Sequence, residues 1–160
     1  MKIGFLGMGV MGLPMAKNVV KKSGCEVLGY DVAKKQLDDF AASGGKPVSD
    51  PVEIYKNCDV ILQILPTHPI IRNSVEQAIQ YGKPGNIIVD LSSTAPDIIQ
   101  ELYTETRAAG MYLCCSTGAR RPPFLRSTLP RSSSSGHLWP VFCPVFCKDS
   151  EFLACLHKSK

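Results

Sequence analysis

Short apolar runs alternate with amphipathic segments along the first 113 residues of the chain. Buried parallel strands are continuous apolar runs, whereas helices that cover them repeat apolar positions with a period of 3.6 residues. This pattern predicts strands over residues 2–6, 26–30, 60–65 and 86–90, with one more beginning at 111. It predicts helices over residues 10–22, 34–42, 51–56, 70–81 and 96–109. Such alternation is typical of an α/β fold with a doubly wound, mainly parallel sheet.

A glycine-rich turn joins the first predicted strand to the first predicted helix. Gly7, Gly9 and Gly12 form a G-x-G-x-x-G pattern there, which in this context indicates a Rossmann-type dinucleotide site. The first glycine permits a tight turn, the second lets a pyrophosphate approach the backbone, and the third lets the helix pack closely. The helix N-terminus adds free N–H groups and partial positive charge. We therefore expect the cofactor to contact Gly7, Met8, Gly9, Val10, Met11 and Gly12.

Asp31 follows the second predicted strand, 19 residues after Gly12. A carboxylate at this position can accept hydrogen bonds from both hydroxyls of an adenosine ribose and repels a 2′-phosphate. NAD is therefore the expected cofactor and NADP the less favoured one, although Lys34 and Lys35 place positive charge nearby. The alternative for Asp31 is an ordinary acid in a solvated turn.

The sequence over residues 5–18 resembles the N-terminal signature of the β-hydroxyacid dehydrogenases, because a Met-Gly-x-x-Met-Ala-x-Asn continuation accompanies the glycines. This family includes 3-hydroxyisobutyrate dehydrogenase and tartronate semialdehyde reductase and is related to 6-phosphogluconate dehydrogenase. Leu65 and Pro66 resemble the family's Met-Leu-Pro turn beside the cofactor. Residues 90–96 resemble its Asp-x-Ser-Ser/Thr-x-x-Pro block, in which the residue at Ser93 contacts the nicotinamide end. The resemblance thus implies that Leu65, Pro66 and Ser93 are cofactor-binding residues.

The resemblance also implies hydride transfer between a nicotinamide cofactor and a small 3-hydroxy acid, such as 3-hydroxyisobutyrate or glycerate. In the family, a helical second domain follows the cofactor domain, and the active site lies between the two. A loop with the sequence Asp-Ala-Pro-Val-Ser-Gly-Gly binds the substrate, and a lysine in Gly-x-x-x-Lys-x-x-Asn acts as the acid/base for reversible hydride transfer. Neither motif occurs in this sequence, so we assign no catalytic residue and expect the chain to be inactive as it stands. The alternative is a dinucleotide-binding module without catalysis. Homo-oligomers are expected of intact family members.

Composition changes after residue 113. Residues 1–113 carry 11 Lys and Arg against 12 Asp and Glu, a net charge of −1, whereas residues 114–160 carry 7 against 2, a net charge of +5. The second segment also has a serine run at 132–135 and no sustained helical pattern. We therefore predict a dinucleotide-binding domain over 1–113, incomplete at its C-terminal edge, and a largely irregular, disordered or out-of-frame tail over 114–160.

A frameshift near Cys114 is our hypothesis for the origin of the tail. Residues 114–121 can be encoded by codons that, when shifted by one base, read Ala-Ala-Ala-Pro-Val-Arg-Gly-Gly. This reading contains the Ala-Pro-Val and the Gly-Gly of the family's substrate loop. The alternatives are a metal site and a nucleic-acid site. The candidate zinc ligands of the tail are Cys143, Cys147, Cys155 and His157. Their spacing does not match that of common zinc sites. Its arginines lack interleaved aromatic residues, so neither metal nor nucleic acid is expected.

The sequence also bears on the location of the protein and on the role of His68. No apolar run approaches the roughly 20 residues that a membrane span needs, and the first residues lack a signal-peptide pattern. We therefore expect a cytoplasmic protein with no membrane partner. His68 falls just past Leu65 and Pro66, close to the expected cofactor cleft, and is expected to be a loop histidine without a function.

Overall fold

The computed structural model describes residues 1–115, in which strands and helices alternate. The strands are β1 Lys2–Leu6, β2 Glu26–Tyr30, β3 Lys46–Pro47, β4 Val60–Gln63, β5 Ile87–Asp90 and β6 Tyr112–Cys115. The helices are α1 Gly12–Ser23, α2 Lys34–Ala41, α3 Pro51–Asn57, α4 His68–Tyr81 and α5 Pro96–Ala108. The tail hypotheses, including the frameshift and the zinc ligands, concern a segment that lies almost wholly outside the described residues.

The strands form one sheet in the order β3-β2-β1-β4-β5-β6, and every described pair of neighbours is parallel. The chain first builds outward from β1 to β3 and then crosses, through α3, to β4 on the other side of β1. This confirms the predicted α/β, Rossmann-type, doubly wound sheet. The strand order reverses between β1 and β4, and folds of this kind bind ligands in the crevice beyond the carboxyl ends of such strands.

Apolar side chains fill both faces of the sheet. On one face α1 and α2 cover β1 and β2, with Phe5, Met8 and Phe40 fully buried. On the other face α3, α4 and α5 cover the sheet around Ile61 and Leu102, which are also fully buried. Because these two layers hold the strands on both sides, the residues that follow each strand start from fixed positions.

The short edge strand β3 was not predicted. Its two residues, a lysine and a proline, are exposed and both are uncommon in strands, so the sequence around it carries no strand pattern. It pairs with β2 at the edge of the sheet, where a proline without an N–H group is tolerated.

Several element ends also differ from the prediction. The helix expected from residue 70 begins at His68, so that His68 opens α4 and does not lie in a loop. Pro69 falls in the first turn, where a missing N–H group leaves no helical hydrogen bond unmade. The last strand continues to Cys115, two residues past the predicted domain boundary, because residues 112–115 pair with β5.

Polar groups beneath α4 bond one another inside the core, whereas the buried Nε2 of Gln63 has no partner within the described residues. The Tyr55 hydroxyl lies 2.9 Å from Ser74 Oγ, and the Ser74 hydroxyl donates to Gln63 Oε1 at 2.9 Å. Burial raises the pKa of the Cys58 thiol to about 11, with a smaller contribution from Asp59, so this thiol stays protonated at neutral pH. These side chains therefore serve the core and not a reactive site.

None of the helices in residues 1–115 combines the length and apolar character that a membrane crossing requires.

Candidate functional site: the carboxyl edge of the sheet

The residues expected at the cofactor site follow four neighbouring strands, each at its carboxyl end. The glycine loop, residues 7–12, follows β1, and Asp31 follows β2. Leu65 and Pro66 follow β4, and Ser93 follows β5. Because these strands are parallel and adjacent, the structure brings all of these residues to the same edge of the sheet.

Gly7 makes the turn out of β1. Its φ of 84° lies in the left-handed region, and its N–H group donates to the carbonyl oxygen of Tyr30 at 3.1 Å. A Cβ atom added here would lie 2.1 Å from the carbonyl oxygen of Ile64. Both the backbone conformation and the close approach of β4 therefore require glycine.

Gly9 and Gly12 meet opposite conditions within the same loop. A Cβ atom on Gly12 would lie 2.1 Å from the carbonyl oxygen of Gly7, so α1 starts in direct contact with the turn. A Cβ atom on Gly9 would meet no atom within 4 Å. Gly12 is therefore needed for packing, whereas the space at Gly9 is open to a molecule from outside.

The glycine loop and the first residue of α1 present unpaired N–H groups. The first helical bond is donated by Leu13 to the carbonyl oxygen of Gly9 at 3.0 Å. Within residues 1–115, no acceptor bonds the N–H groups of Gly9, Val10, Met11 and Gly12. Met11 precedes the helix and supplies no side-chain cap. Free N–H groups and the positive end of the helix dipole make this turn suited to an anion such as a pyrophosphate.

The Asp31 carboxylate ties the end of β2 to the glycine loop. Its Oδ2 accepts from the Met8 N–H group at 2.5 Å, and its Oδ1 accepts from the Ala33 N–H group at 2.8 Å. Asp31 is half-buried, and each carboxylate oxygen keeps further acceptor capacity. The carboxylate is thus held in place and can still receive hydroxyl donors.

The apolar residues of this edge fall into two groups. The Met8 side chain is fully buried under the loop, and its N–H group is already bonded to Asp31. Val10 is 93% exposed, Met11 is 69% exposed and Val32 is 91% exposed. Val32 was missed by the sequence analysis, although an apolar residue directly after Asp31 was the available signal. Exposed apolar side chains beside an anion-binding turn suit a ligand that also has flat apolar rings.

The loops that follow β4 and β5 are joined by side-chain hydrogen bonds. Ser92 Oγ accepts from the Leu65 N–H group at 2.9 Å, which takes that N–H group out of the strand ladder and ends β4 two residues earlier than predicted. Asp90 accepts from the Ser92 N–H group at 3.1 Å and from the Thr94 hydroxyl at 2.6 Å. We call Leu65, Asp90, Ser92 and Thr94 the clasp. Ser93 lies exposed within it.

Comparison with known families adds a decisive observation. Residues 2–114 match the sequence profile described as the NAD binding domain of 6-phosphogluconate dehydrogenase. The chain belongs to this family. The β-hydroxyacid dehydrogenase resemblance of the glycine loop and of residues 90–96 is thereby confirmed, and residues 2–114 form a nicotinamide-dinucleotide-binding domain.

Individual members of the β-hydroxyacid dehydrogenases agree with this assignment. The mitochondrial 3-hydroxyisobutyrate dehydrogenase of Drosophila melanogaster is 32% identical over 109 residues, which are 68% of this chain and 33% of that protein. A solved 3-hydroxyisobutyrate dehydrogenase of Mycobacterium tuberculosis, described with L-serine, is 27% identical with a TM-score of 0.67 and covers 71% of this chain and 39% of its own. An imine reductase of Myxococcus stipitatus, described with NADP⁺, shares the fold at 19% identity, with a TM-score of 0.66 over 72% of this chain and 40% of its own. The chain spans about a third of the length of the curated relative.

The described part of this β-hydroxyacid dehydrogenase domain contains no candidate metal centre. Across the described residues, no three His, Cys, Asp or Glu side chains are grouped in a way that could hold a metal ion. His68 is exposed at the start of α4.

Proposed function

We propose that this chain binds NAD in preference to NADP at the carboxyl edge of its sheet. The observation that carries the proposal is the Asp31 carboxylate, which two backbone N–H groups hold half-buried beside the glycine loop. A ribose with two hydroxyls can donate to its free acceptor sites, whereas a 2′-phosphate would bring negative charge against it. Lys34 and Lys35 are exposed, and within residues 1–115 neither forms an ion pair with Asp31.

The proposed positions along the cofactor follow from the strand order. The free N–H groups of the glycine loop, at the N-terminus of α1, bind the pyrophosphate, and the open space at Gly9 admits it. Asp31, on the β2 side, receives the adenosine ribose, so the nicotinamide half lies over the loops after β4 and β5, at Leu65, Pro66 and Ser93. Met8 contributes by fixing the loop through its bond to Asp31. The bound cofactor supplies a hydride acceptor or donor.

For the whole protein we propose oxidation of a small 3-hydroxy acid such as 3-hydroxyisobutyrate or glycerate, as a homo-oligomer. The name of the relative from Drosophila melanogaster supports this class of substrate. The second candidate is a dinucleotide-binding module without turnover. It is favoured by one observation, that the sequence contains neither the substrate loop nor the lysine motif of the family. A cytoplasmic location stays a prediction, since that relative is named as mitochondrial.

Titration of the full chain with NADH and NADPH tests the proposal. We expect NADH to bind at least about tenfold more tightly, since one charge repulsion against the 2′-phosphate is worth on the order of 1.4 kcal/mol. Assays with 3-hydroxyisobutyrate and glycerate in the presence of NAD distinguish the two candidates, because turnover eliminates the binding module. If neither dinucleotide binds, the proposal is wrong.

Asp31→Asn is expected to remove most of the preference for NADH. The neutral amide no longer repels a 2′-phosphate. Because the amide has one oxygen and one NH₂ group, it can accept from only one of the two backbone N–H groups that bond Asp31, and its NH₂ group faces the other donor without a hydrogen bond. NADH affinity should fall by about tenfold and NADPH affinity by less, with a loss of about 1–2 kcal/mol in the free energy of unfolding. The matched control is Asp38→Asn, the same change on the exposed side of α2, which should alter neither affinity. An unchanged NADH to NADPH ratio in Asp31→Asn would contradict the assignment of Asp31 to the ribose.

A further inference from the structure

Three polar side chains are buried at the end of β5. Asp90 is fully buried, Ser92 is 3% exposed and Thr94 is 8% exposed. Burial of polar groups is costly unless each finds a hydrogen-bond partner, and the cost is largest for a carboxylate. Each of these side chains has such a partner within the clasp.

The bonds of the clasp close the loop after β5 and join it to the loop after β4. The Thr94 hydroxyl and the Ser92 N–H group each donate to one oxygen of Asp90, which closes residues 90–94 into a compact turn. The Ser92 hydroxyl oxygen then bonds the backbone of Leu65. The Leu91 N–H group also donates to the carbonyl oxygen of Gln63 at 2.8 Å. The loop after β4 is thereby fastened to the loop after β5.

Only one residue of this turn, Ser93, is exposed between buried neighbours. Its backbone is set on one side by Ser92, which bonds Leu65, and on the other by Thr94, which bonds Asp90. Because hydrogen bonds hold both neighbours of Ser93 in place, the backbone of Ser93, and with it the direction of its side chain, is restricted. The clasp therefore sets where Ser93 stands relative to Leu65 and Pro66.

We propose that Asp90, Ser92 and Thr94 are positioning residues for the nicotinamide half of the cofactor. They act through Ser93, Leu65 and Pro66, which form the wall on the β4 and β5 side of the site. This inference rests on the proposed function, because it requires a dinucleotide that spans from Asp31 to that wall. The adenosine half lies on the opposite side of β1 and does not depend on the clasp.

A pair of ligands separates positioning from general stability. NADH reaches both halves of the site, whereas ADP reaches only the adenosine and pyrophosphate side. Thr94→Val keeps the shape of the side chain but removes the hydroxyl donor to Asp90, and Ser92→Ala removes the acceptor for the Leu65 N–H group. In the full chain, each variant should lower NADH affinity by about five- to tenfold and change ADP affinity by less than about twofold.

Two further variants serve as controls. Thr94→Ser keeps the hydroxyl and should retain NADH affinity within about twofold of the original chain. Thr104→Val makes the same change as Thr94→Val on the exposed face of α5, where the hydroxyl bonds only the carbonyl oxygen of Gln100. This second control should leave both affinities unchanged.

The outcomes point to different conclusions. A selective loss of NADH affinity that Thr94→Ser restores supports the proposal. Equal losses for NADH and ADP, together with a lower melting temperature, would show a purely structural role and overturn it. Unchanged NADH affinity in both variants would overturn it as well. If the original chain binds neither ligand, the proposed function fails first, and this inference falls with it.

Discussion

Gly9→Val is expected to abolish detectable dinucleotide binding while leaving the melting temperature of the chain unchanged. A Cβ atom at this position meets no atom within 4 Å, so a larger side chain projects into open space in the free protein. That same space lies beside the free N–H groups of the glycine loop, where we propose that the pyrophosphate binds. We expect NADH affinity to fall by at least about 100-fold, equivalent to roughly 2.8 kcal/mol.

NADH titration and thermal melting of the same preparation measure the two effects separately. The control is Ala42→Val, which adds similar bulk at an exposed position after α2 and should affect neither quantity. Retention of NADH affinity by Gly9→Val would show that the pyrophosphate does not cross this loop. A large loss of stability would show that the loop packs differently from the structure described above.

Gly12→Ala is expected to have the opposite effect, a large loss of stability. The added methyl group would lie 2.1 Å from the carbonyl oxygen of Gly7, and a backbone atom in a tight turn cannot rotate away as a side chain can. Either α1 or the turn must shift, and overpacking of this kind lowers the free energy of unfolding by about 2–3 kcal/mol. Denaturant unfolding measures this loss directly.

The matched control for Gly12→Ala is Gly9→Ala, which adds the same methyl group three residues earlier in the same loop. It should leave the free energy of unfolding within about 0.5 kcal/mol of the original value. Equal stability of the two variants would contradict the packing role assigned to Gly12.

The sequence predicted most of the fold because the main signals are local. The order of β1, α1 and β2 and their bounds to within two residues follow from apolar patterns and from the glycines. β3 was missed because its two residues carry no pattern and pair only because β2 lies beside them. The end of β4 was misplaced because Ser92, 27 positions later in the chain, takes the N–H group of Leu65.

The candidate site divides in the same way. The glycines could be assigned from the sequence because the turn demands particular backbone conformations. The bond from Met8 to Asp31 spans 23 positions, and the clasp joins two different strands. Such contacts depend on the register of the sheet, which no local pattern contains. The sequence therefore indicated which residues reach the site, but not which of them hold the others in place.

The Asp31 carboxylate, which we propose receives the adenosine ribose, also accepts from the Met8 N–H group of the glycine loop. In that proposal, cofactor selectivity and loop order share one side chain. Exchange of Asp31 for a residue without a side-chain acceptor would leave the Met8 N–H group without its partner. A redesign for NADP therefore has to keep an acceptor for that group, for example the side-chain oxygen of an asparagine or serine at position 31. An exchange that removes every acceptor should require a compensating substitution in the glycine loop.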